Sequence, residues 1–109
     1  MDNYSTAHKA VIDALVSNMP NVVVGKAFGY PAYKINGKVF AFVGSAGVAL
    51  KLPEARVQEL IQNHEHMHSF EPSPGTVWRE WVSIDREKPT DHQQDMDLLE
   101  ESMQFVLTK

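Results

Sequence analysis

The Asn36-Gly37 dipeptide constrains the fold of this chain more than any other feature of the sequence. It lies between two apolar and aromatic runs, residues 30–35 and 38–43. A two-residue hairpin turn of type I′ needs positive φ at both central positions, and Asn-Gly accepts that conformation readily. The sequence therefore predicts a β-hairpin over residues 30–43 with its turn at Asn36-Gly37.

The turn also predicts which residues of the two strands lie opposite each other. The expected pairs are Ile35 with Lys38, Lys34 with Val39, Tyr33 with Phe40, Ala32 with Ala41, and Pro31 with Phe42. Because side chains alternate between the faces of a strand, one face should bury Pro31, Tyr33, Ile35, Phe40 and Phe42. With residues 48–52 as the next strand, Phe42 is expected opposite Val48 and Phe40 opposite Leu50.

The other face of this sheet is the candidate functional surface. In the expected register, Ala32, Ala41 and Ala49 form a row of small side chains, with Lys34 and Lys51 beside it. One interpretation is a shallow floor for a ligand or a partner chain, where the lysines meet an anion. The other is an ordinary half-covered sheet, whose lysines maintain solubility and protect an edge. A helix of the same chain lying over the alanines would favour the second interpretation.

The remaining elements follow from capping and periodicity. Ser5 is a suitable cap for a first helix that Pro20 ends, and Pro53 begins a second helix that continues to about Asn63. Thr90, with Gln93 three residues later, resembles a capping box for the last helix. Residues 21–27, 48–52 and 76–84 are expected to be strands, and residues 64–75 a loop or a short strand.

This order, α-β-β-β-β-α-β(β)-α, predicts an α+β fold in one domain over residues 1–109. We expect a single largely antiparallel sheet of five to six strands flanked by three helices. A chain of 109 residues with 43% hydrophobic content suffices for one core. It has no cysteine, which excludes a disulfide framework and a thiol nucleophile within these residues. The sequence shows neither a signal peptide nor an apolar run of ~20 residues, so we expect a cytoplasmic protein without membrane contact.

Charge is distributed unevenly along the sequence. No acidic residue occurs between Asp13 and Glu54, whereas that segment contains Lys26, Lys34, Lys38 and Lys51. From Asp85 onward, seven acidic residues accompany Arg86, Lys88 and Lys109. The net charge of −4 argues against a dedicated nucleic-acid binder, and no tight nucleic-acid binding is expected.

Two further clusters contain residue types that bind metals or substrates in other proteins. His64, His66 and His68 have the spacing that places three imidazoles on one face of an extended strand, a geometry that suits zinc or nickel. Solvated loop histidines are the favoured interpretation, so no metal and no cofactor are expected. In residues 78–81, alternation predicts that Trp78 and Trp81 point to opposite faces. The sequence contains no P-loop and no GxSxG motif, and no catalytic residue is predicted.

Four segments together resemble the TfoX amino-terminal-domain family, which is related in style to small YjbR-like bacterial proteins. The segments are FGYPAYKINGKVFAFV, VALKLPEARVQEL, FEPSPGTVWREWVSI and LLEESMQFVL, and the resemblance extends from about Lys26 to Val106. It implies a secretion-chaperone-like α+β fold, and the family supplies no catalytic residues. TfoX itself is a competence regulator with a second, carboxy-terminal domain that these 109 residues do not include. We therefore expect its regulatory role to transfer poorly.

Three functions are compatible with these patterns. The favoured one is a small non-enzymatic binding or regulatory module, which forms a homodimer or binds a protein partner through Ala32, Ala41, Ala49, Lys34 and Lys51. The second is a nucleic-acid-associated transcription or competence regulator that uses the basic strands. The third is an enzyme whose pocket the sequence does not identify.

Overall fold

The computed structural model describes residues 4–108, which form three α-helices, one 3₁₀ helix and six strands. In chain order these are α1 (Thr6–Val16), β1 (Val22–Ala27), β2 (Tyr30–Ile35), β3 (Lys38–Val43), β4 (Gly47–Lys51), α2 (Glu54–Asn63), β5 (Met67–Ser73), β6 (Thr76–Asp85), the 3₁₀ helix (Pro89–Asp95) and α3 (Met96–Leu107). The predicted α+β class and element order are confirmed. Residues 64–75, for which the sequence predicted a loop or a short strand, contain strand β5.

The strands form one antiparallel sheet in the order β1-β2-β3-β4-β6-β5. The first four strands follow one another through short turns, and β6 then pairs with β4, leaving β5 at the far edge. Gly47 permits the close contact between β4 and β6, because a Cβ atom at this position would lie 1.8 Å from the carbonyl oxygen of Ile84. No helix within residues 4–108 is long and apolar enough to cross a bilayer.

Two tight turns shape the first half of the sheet. Asn36 has φ 53° and Gly37 has φ 78°, so the predicted turn with positive φ at both positions is confirmed. A second such turn at Phe28 (φ 58°) and Gly29 (φ 82°) joins β1 to β2. Phenylalanine rarely adopts positive φ, which is why the sequence did not indicate this turn.

A β-bulge in the central hairpin changes the predicted register. Lys34 pairs with Val39 and Ile35 with Lys38 as expected, but Tyr33 then pairs with Ala41, and Ala32 with Phe42. The predicted pairs Tyr33–Phe40, Ala32–Ala41 and Pro31–Phe42 are therefore wrong, because Phe40 is an extra residue on β3. The hydroxyl oxygen of the buried Ser102, on α3, lies 2.8 Å from the carbonyl oxygen of Phe40 and 2.7 Å from that of Lys51.

The pairing between β3 and β4 follows from the tight turn at residues 44–47, where the Gly44 N–H donates a 2.8 Å hydrogen bond to the Gly47 carbonyl. Phe42 lies opposite Ala49, Val43 opposite Val48, and Ala41 opposite Leu50, so the predicted partners of Phe42 and Phe40 were wrong by one residue. Phe40 and Ala41 both belong to the core beneath the helices, whereas Phe42 belongs to a separate cluster on the other face. Phe40, Phe42 and Leu50 are all buried, as predicted, but they do not share a face.

All three α-helices pack on one face of the sheet. We call the buried residues between the helices and this face the helix-side core. Its buried helical residues are Ile12 and Val16 from α1, Val57 and Leu60 from α2, and Leu99, Met103 and Val106 from α3. Ser5 caps α1 as predicted, since its hydroxyl oxygen accepts a hydrogen bond of 3.2 Å from the backbone N–H of His8. Thr90 does not cap α3, because residues 89–95 form the 3₁₀ helix first and α3 begins only at Met96.

Candidate binding face of the sheet

The sheet face opposite the helices carries an aromatic cluster. Ala32, Phe42, Ala49 and Trp81 are buried there, and Tyr30, Phe70 and Trp78 are among the partly buried side chains packed against them. Among residues 4–108, no helix residue belongs to this cluster. With the ring of Phe28, which contacts three of these aromatic rings, the set defines the aromatic face: Phe28, Tyr30, Phe42, Phe70, Trp78 and Trp81.

Phe42 is the centre of the aromatic face. Its ring centroid lies 4.9 Å from Trp81, 5.0 Å from Phe70, 5.5 Å from Tyr30 and 5.6 Å from Phe28. These distances are within the range at which edge-to-face and offset-stacked ring pairs stabilise a fold. Phe42 is only 1% exposed, so its side chain is part of a second small core.

The contact between Phe28 and Trp78 closes the aromatic face across the sheet. Phe28 lies in the β1–β2 turn and Trp78 on β6, and strands β3 and β4 lie between β2 and β6. Three strand spacings correspond to about 14 Å in a flat sheet. The two ring centroids are 5.0 Å apart, so the long aromatic side chains bridge the intervening strands. Phe28 is 55% exposed.

Two pockets open beside these rings. The first, of about 270 Å³, lies among Tyr30, Phe42 and Phe70 and the chain segment 44–49, with Ser83 and Asp85 on its wall. The second, of about 510 Å³, is formed by Phe28, Val39 and Trp81, and its remaining lining residues are Lys38, Lys51 and Val106. The second pocket has the volume typical of ligand sites and combines an aromatic wall with cationic side chains.

The predicted row of alanines does not exist. Ala32 and Ala49 are on the aromatic face, but Phe42 lies between them in the ladder, and Ala41 faces the helix-side core. The bulge at Phe40 is the physical reason, because one extra residue reverses the direction of every later side chain on β3.

The two predicted lysines remain on the side of the aromatic face. Lys34 is paired with Val39, which packs against the aromatic cluster, and Lys51 is paired with Trp81. Both side chains are of intermediate exposure. The lysines therefore border an aromatic surface rather than a floor of alanines.

Charge differs between the strands and the helical layer. Strands β1 to β4 contain four lysines and no acidic residue. The helices contain the acidic residues Asp13, Glu54, Glu59, Asp91, Asp95, Asp97, Glu100 and Glu101, accompanied by the basic residues Lys9 and Arg56. The charge polarity seen along the sequence thus becomes a polarity between the lysine-bearing strands and the helical layer.

Trp78 and Trp81 share one face, contrary to the alternation predicted from the sequence. The pairing between β5 and β6 jumps from Ser69–Val82 to Phe70–Trp78, which inserts extra residues into β6 between the two indoles. Strict alternation therefore fails there, and both tryptophans contribute to the aromatic face.

The three histidines near α2 do not share a strand. His64 ends α2, His66 lies in the following turn, and only His68 is part of β5, where its Nε2 lies 3.5 Å from Asp85. The Nε2 atom of His66 is buried and has no hydrogen-bond partner within the described part of the chain. Burial is the main cause that lowers the pKa of His66, and Arg86 adds to it. No group of three or more metal-ligating side chains within residues 4–108 is placed to hold a metal ion.

A buried polar chain links α1 to the 3₁₀ helix, and the sequence did not reveal it. His8 Nδ1 lies 2.7 Å from His92 Nε2, and His92 Nδ1 lies 3.0 Å from Asp95 Oδ2. Arg86 donates two hydrogen bonds to the carboxylate of Asp95, at 2.6 and 3.1 Å. Because an ionised carboxylate only accepts, His92 donates from Nδ1 to Asp95, which leaves its Nε2 for the contact with His8.

The environment shifts the pKa values of this buried chain. Burial lowers the pKa of His8, His92 lowers it further, and Asp85 opposes the shift. Burial alone would raise the pKa of Asp95, but the hydrogen bonds from His92 and Arg86 outweigh it, so that this pKa lies below its ordinary value. These shifts favour a neutral His8 imidazole and an ionised Asp95 carboxylate in a polar chain that joins two distant segments.

Only one local signal related to this chain is present in the sequence. His92 and Asp95 are three residues apart, the spacing at which side chains meet on a helical turn. Nothing in the sequence connects them to His8, which is 84 positions from His92.

Comparison with known proteins gives no relative for this chain, since no family model, no curated protein and no solved structure matches it. Its function is therefore inferred from the geometry and charge of the described residues.

Proposed function

We propose that this protein is a non-enzymatic binding module, and that its aromatic face holds an acidic segment of a partner protein. One observation carries the proposal: the pocket of about 510 Å³ combines the rings of Phe28 and Trp81 with Lys51, and it also contains Lys38, whose ammonium donates a hydrogen bond of 3.1 Å to the carbonyl oxygen of Val106. Such a pocket favours an apolar or aromatic side chain flanked by carboxylates, because the rings bury the first and the positive charge attracts the second.

The charge distribution supports an acidic rather than a basic partner. Strands β1 to β4 contain four lysines and no acidic residue, whereas the helical layer is acidic. Electrostatic complementarity orients a partner during its approach and disfavours wrong partners. An acidic segment would therefore be attracted to the lysine-bearing strands and repelled from the helices.

The resemblance to the TfoX amino-terminal-domain family agrees with this proposal, because it supplies no catalytic residues. We also propose that the chain is related to that family, and we do not extend the competence role of TfoX to it.

The direct test is a fluorescence anisotropy titration with a labelled acidic peptide in which Phe and Leu alternate with Glu. We expect Lys51→Glu to weaken binding at least about tenfold, because it reverses a charge at the pocket. Lys88→Glu makes the same change of charge in the loop before the 3₁₀ helix, so it should leave affinity within about twofold. Equal losses in both variants would show that only net charge matters and would contradict a site on the aromatic face.

Single-stranded nucleic acid is the second candidate, favoured by one observation. Phe28 exposes 55% of its surface beside a pocket that contains Lys51, and exposed rings next to cations are the usual platform for stacked bases. The same titration should therefore include a 12-nucleotide oligothymidylate and a random duplex. We expect the duplex to bind no more tightly than ~100 μM, the weak end of non-specific affinity. Oligothymidylate that bound more tightly than the peptide would favour this second function.

A further inference from the structure

Within residues 4–108, strand β1 forms an edge of the sheet that no other strand covers. It lies at the end of the sheet and pairs only with β2. Its two-residue turn at Phe28-Gly29 closes on Ala27 and Tyr30, which makes them a hydrogen-bonded pair. Because the bonding direction alternates along a strand, Val22, Val24 and Lys26 then direct their N–H and C=O groups away from β2.

The two edges of the sheet differ in how they are protected. At the opposite edge, β5 contains Glu71 and Pro72, and its pairing with β6 shifts twice. Charge, proline and bulges are the usual devices that prevent an edge strand from pairing with another chain. β1 has a continuous register with β2 and no proline, and it exposes Val23 by 61% and Val24 by 48%.

We propose that β1 pairs antiparallel with β1 of a second copy of this chain, about a two-fold axis at Val24. Among the antiparallel registers, this one pairs all three residues whose backbone groups are directed outward. With Val24 opposite Val24 of the second copy, Val22 lies opposite Lys26 and Lys26 opposite Val22. All three pairs consist of outward-directed residues, so the two copies can exchange two hydrogen bonds per pair. This inference does not depend on the proposed function, because none of the residues paired between the two copies belongs to the aromatic face.

Charge does not oppose this pairing, although each chain has a net charge of −4. The acidic residues are absent from β1 to β4, so the strands nearest the axis add no repulsion between carboxylates. The two copies of Lys26 lie four residues apart along the strand direction, about 14 Å. That separation exceeds the Debye length of ~8 Å at physiological ionic strength, so their repulsion is largely screened.

The size of the contact predicts a reversible dimer. Each copy contributes one six-residue strand with its exposed valines, which is less than the ~800 Å² per partner typical of stable complexes. A dissociation constant of roughly 1–100 μM is expected for such an interface.

A cysteine introduced at the proposed axis tests the register directly, since the native 109-residue chain has none. In Val24→Cys, the two Cα atoms would lie about 5.5 Å apart, which is within the range that a disulfide spans. In Val23→Cys, the matched control, the two Cα atoms would lie about 8 Å apart, which is too far. Oxidised glutathione should therefore produce a disulfide-linked dimer of the first variant only. Cross-linking of Val23→Cys at an equal or higher rate would overturn the register.

Sedimentation velocity on untagged protein tests the dimer without a disulfide. Val24→Pro removes an outward-directed N–H, at an edge position where proline is tolerated, and should weaken dimerisation at least about tenfold. Val24→Thr keeps the backbone donor and should dimerise like the native chain. Native protein that stays monomeric at about 200 μM, above the expected dissociation constant, would overturn the proposal. If Val24→Pro fails to fold, the cysteine pair still decides between the outcomes.

Discussion

Replacing Phe42 and Phe40 separately by alanine tests the division of the sheet into two faces. The two side chains are two positions apart, and strict alternation would place them on one face. The structure places Phe42 among the rings of the aromatic face and Phe40 in the helix-side core. Both are buried, at 1% and 0% exposure, so each replacement removes a complete ring from a packed interior.

We expect each replacement to lower the free energy of unfolding by about 3–5 kcal/mol, the usual loss for a buried phenylalanine. For an urea m-value of about 2 kcal/mol per M, a loss of 4 kcal/mol lowers the unfolding midpoint by about 2 M. Phe28→Ala is the matched control on the aromatic face, because 55% of that residue is exposed. Its loss should be only about 1 kcal/mol, the contribution of its edge-to-face contacts.

Tryptophan fluorescence of the native state separates the two faces. Both tryptophans belong to the aromatic face, and the Trp81 ring lies 4.9 Å from the ring of Phe42. Phe42→Ala should therefore shift the emission of the folded protein to longer wavelength, whereas Phe40→Ala should leave it unchanged. The bulge assignment would be wrong if Phe40→Ala shifted the emission and Phe42→Ala did not. A loss below about 1 kcal/mol for Phe40→Ala would equally contradict the burial of its ring.

Two further predictions concern α1. Because the pKa of His8 is lowered by burial and by His92, the stability linked to this group is present above pH 6.5, the ordinary pKa of histidine, and is lost as the pH falls. Urea unfolding between pH 7 and 5 should show this loss as a fall in the free energy of unfolding, part of which comes from His66, whose pKa is also lowered. A His8→Gln variant with the same pH dependence as the native chain would refute the prediction. The Tyr33 hydroxyl donates a 2.6 Å hydrogen bond to Asp13, and burial, the larger cause, together with Asp13 raises its pKa. Tyr33→Phe should therefore cost about 1–2 kcal/mol by urea denaturation, and an unchanged midpoint would show that water replaces the bond fully.

Element order and type were predictable because their signals are local. The turn at Asn36-Gly37, the cap at Ser5 and Pro53 before α2 each act within a few residues, and the structure confirms all three. The position of Lys34 beside the candidate face followed from the sequence because the pairing next to the turn was correct, and that of Lys51 because side chains alternate along β4 from Ala49.

The register beyond Lys34 was not predictable, because distant residues determine it. The bulge at Phe40 leaves a carbonyl that accepts a hydrogen bond from Ser102, 62 positions later, and it directs Phe42 toward rings from four other segments. The alternation of side chains along β3 indicates neither the hydrogen bond from Ser102 nor the ring contacts of Phe42. The turn at Phe28-Gly29 was missed for a related reason: its positive φ at phenylalanine is compensated by ring contacts with β3 and β6.

The contact between His8 and His92 has a consequence for the synthesis of the chain. At about 5–20 residues per second, a ribosome needs about 4–17 s to add the 84 residues that separate the two positions. Throughout that interval α1 lacks His92, its buried partner in the 3₁₀ helix. Of the three described α-helices, α1 is therefore synthesised first, but it completes its buried polar contact only after residue 92 has been added.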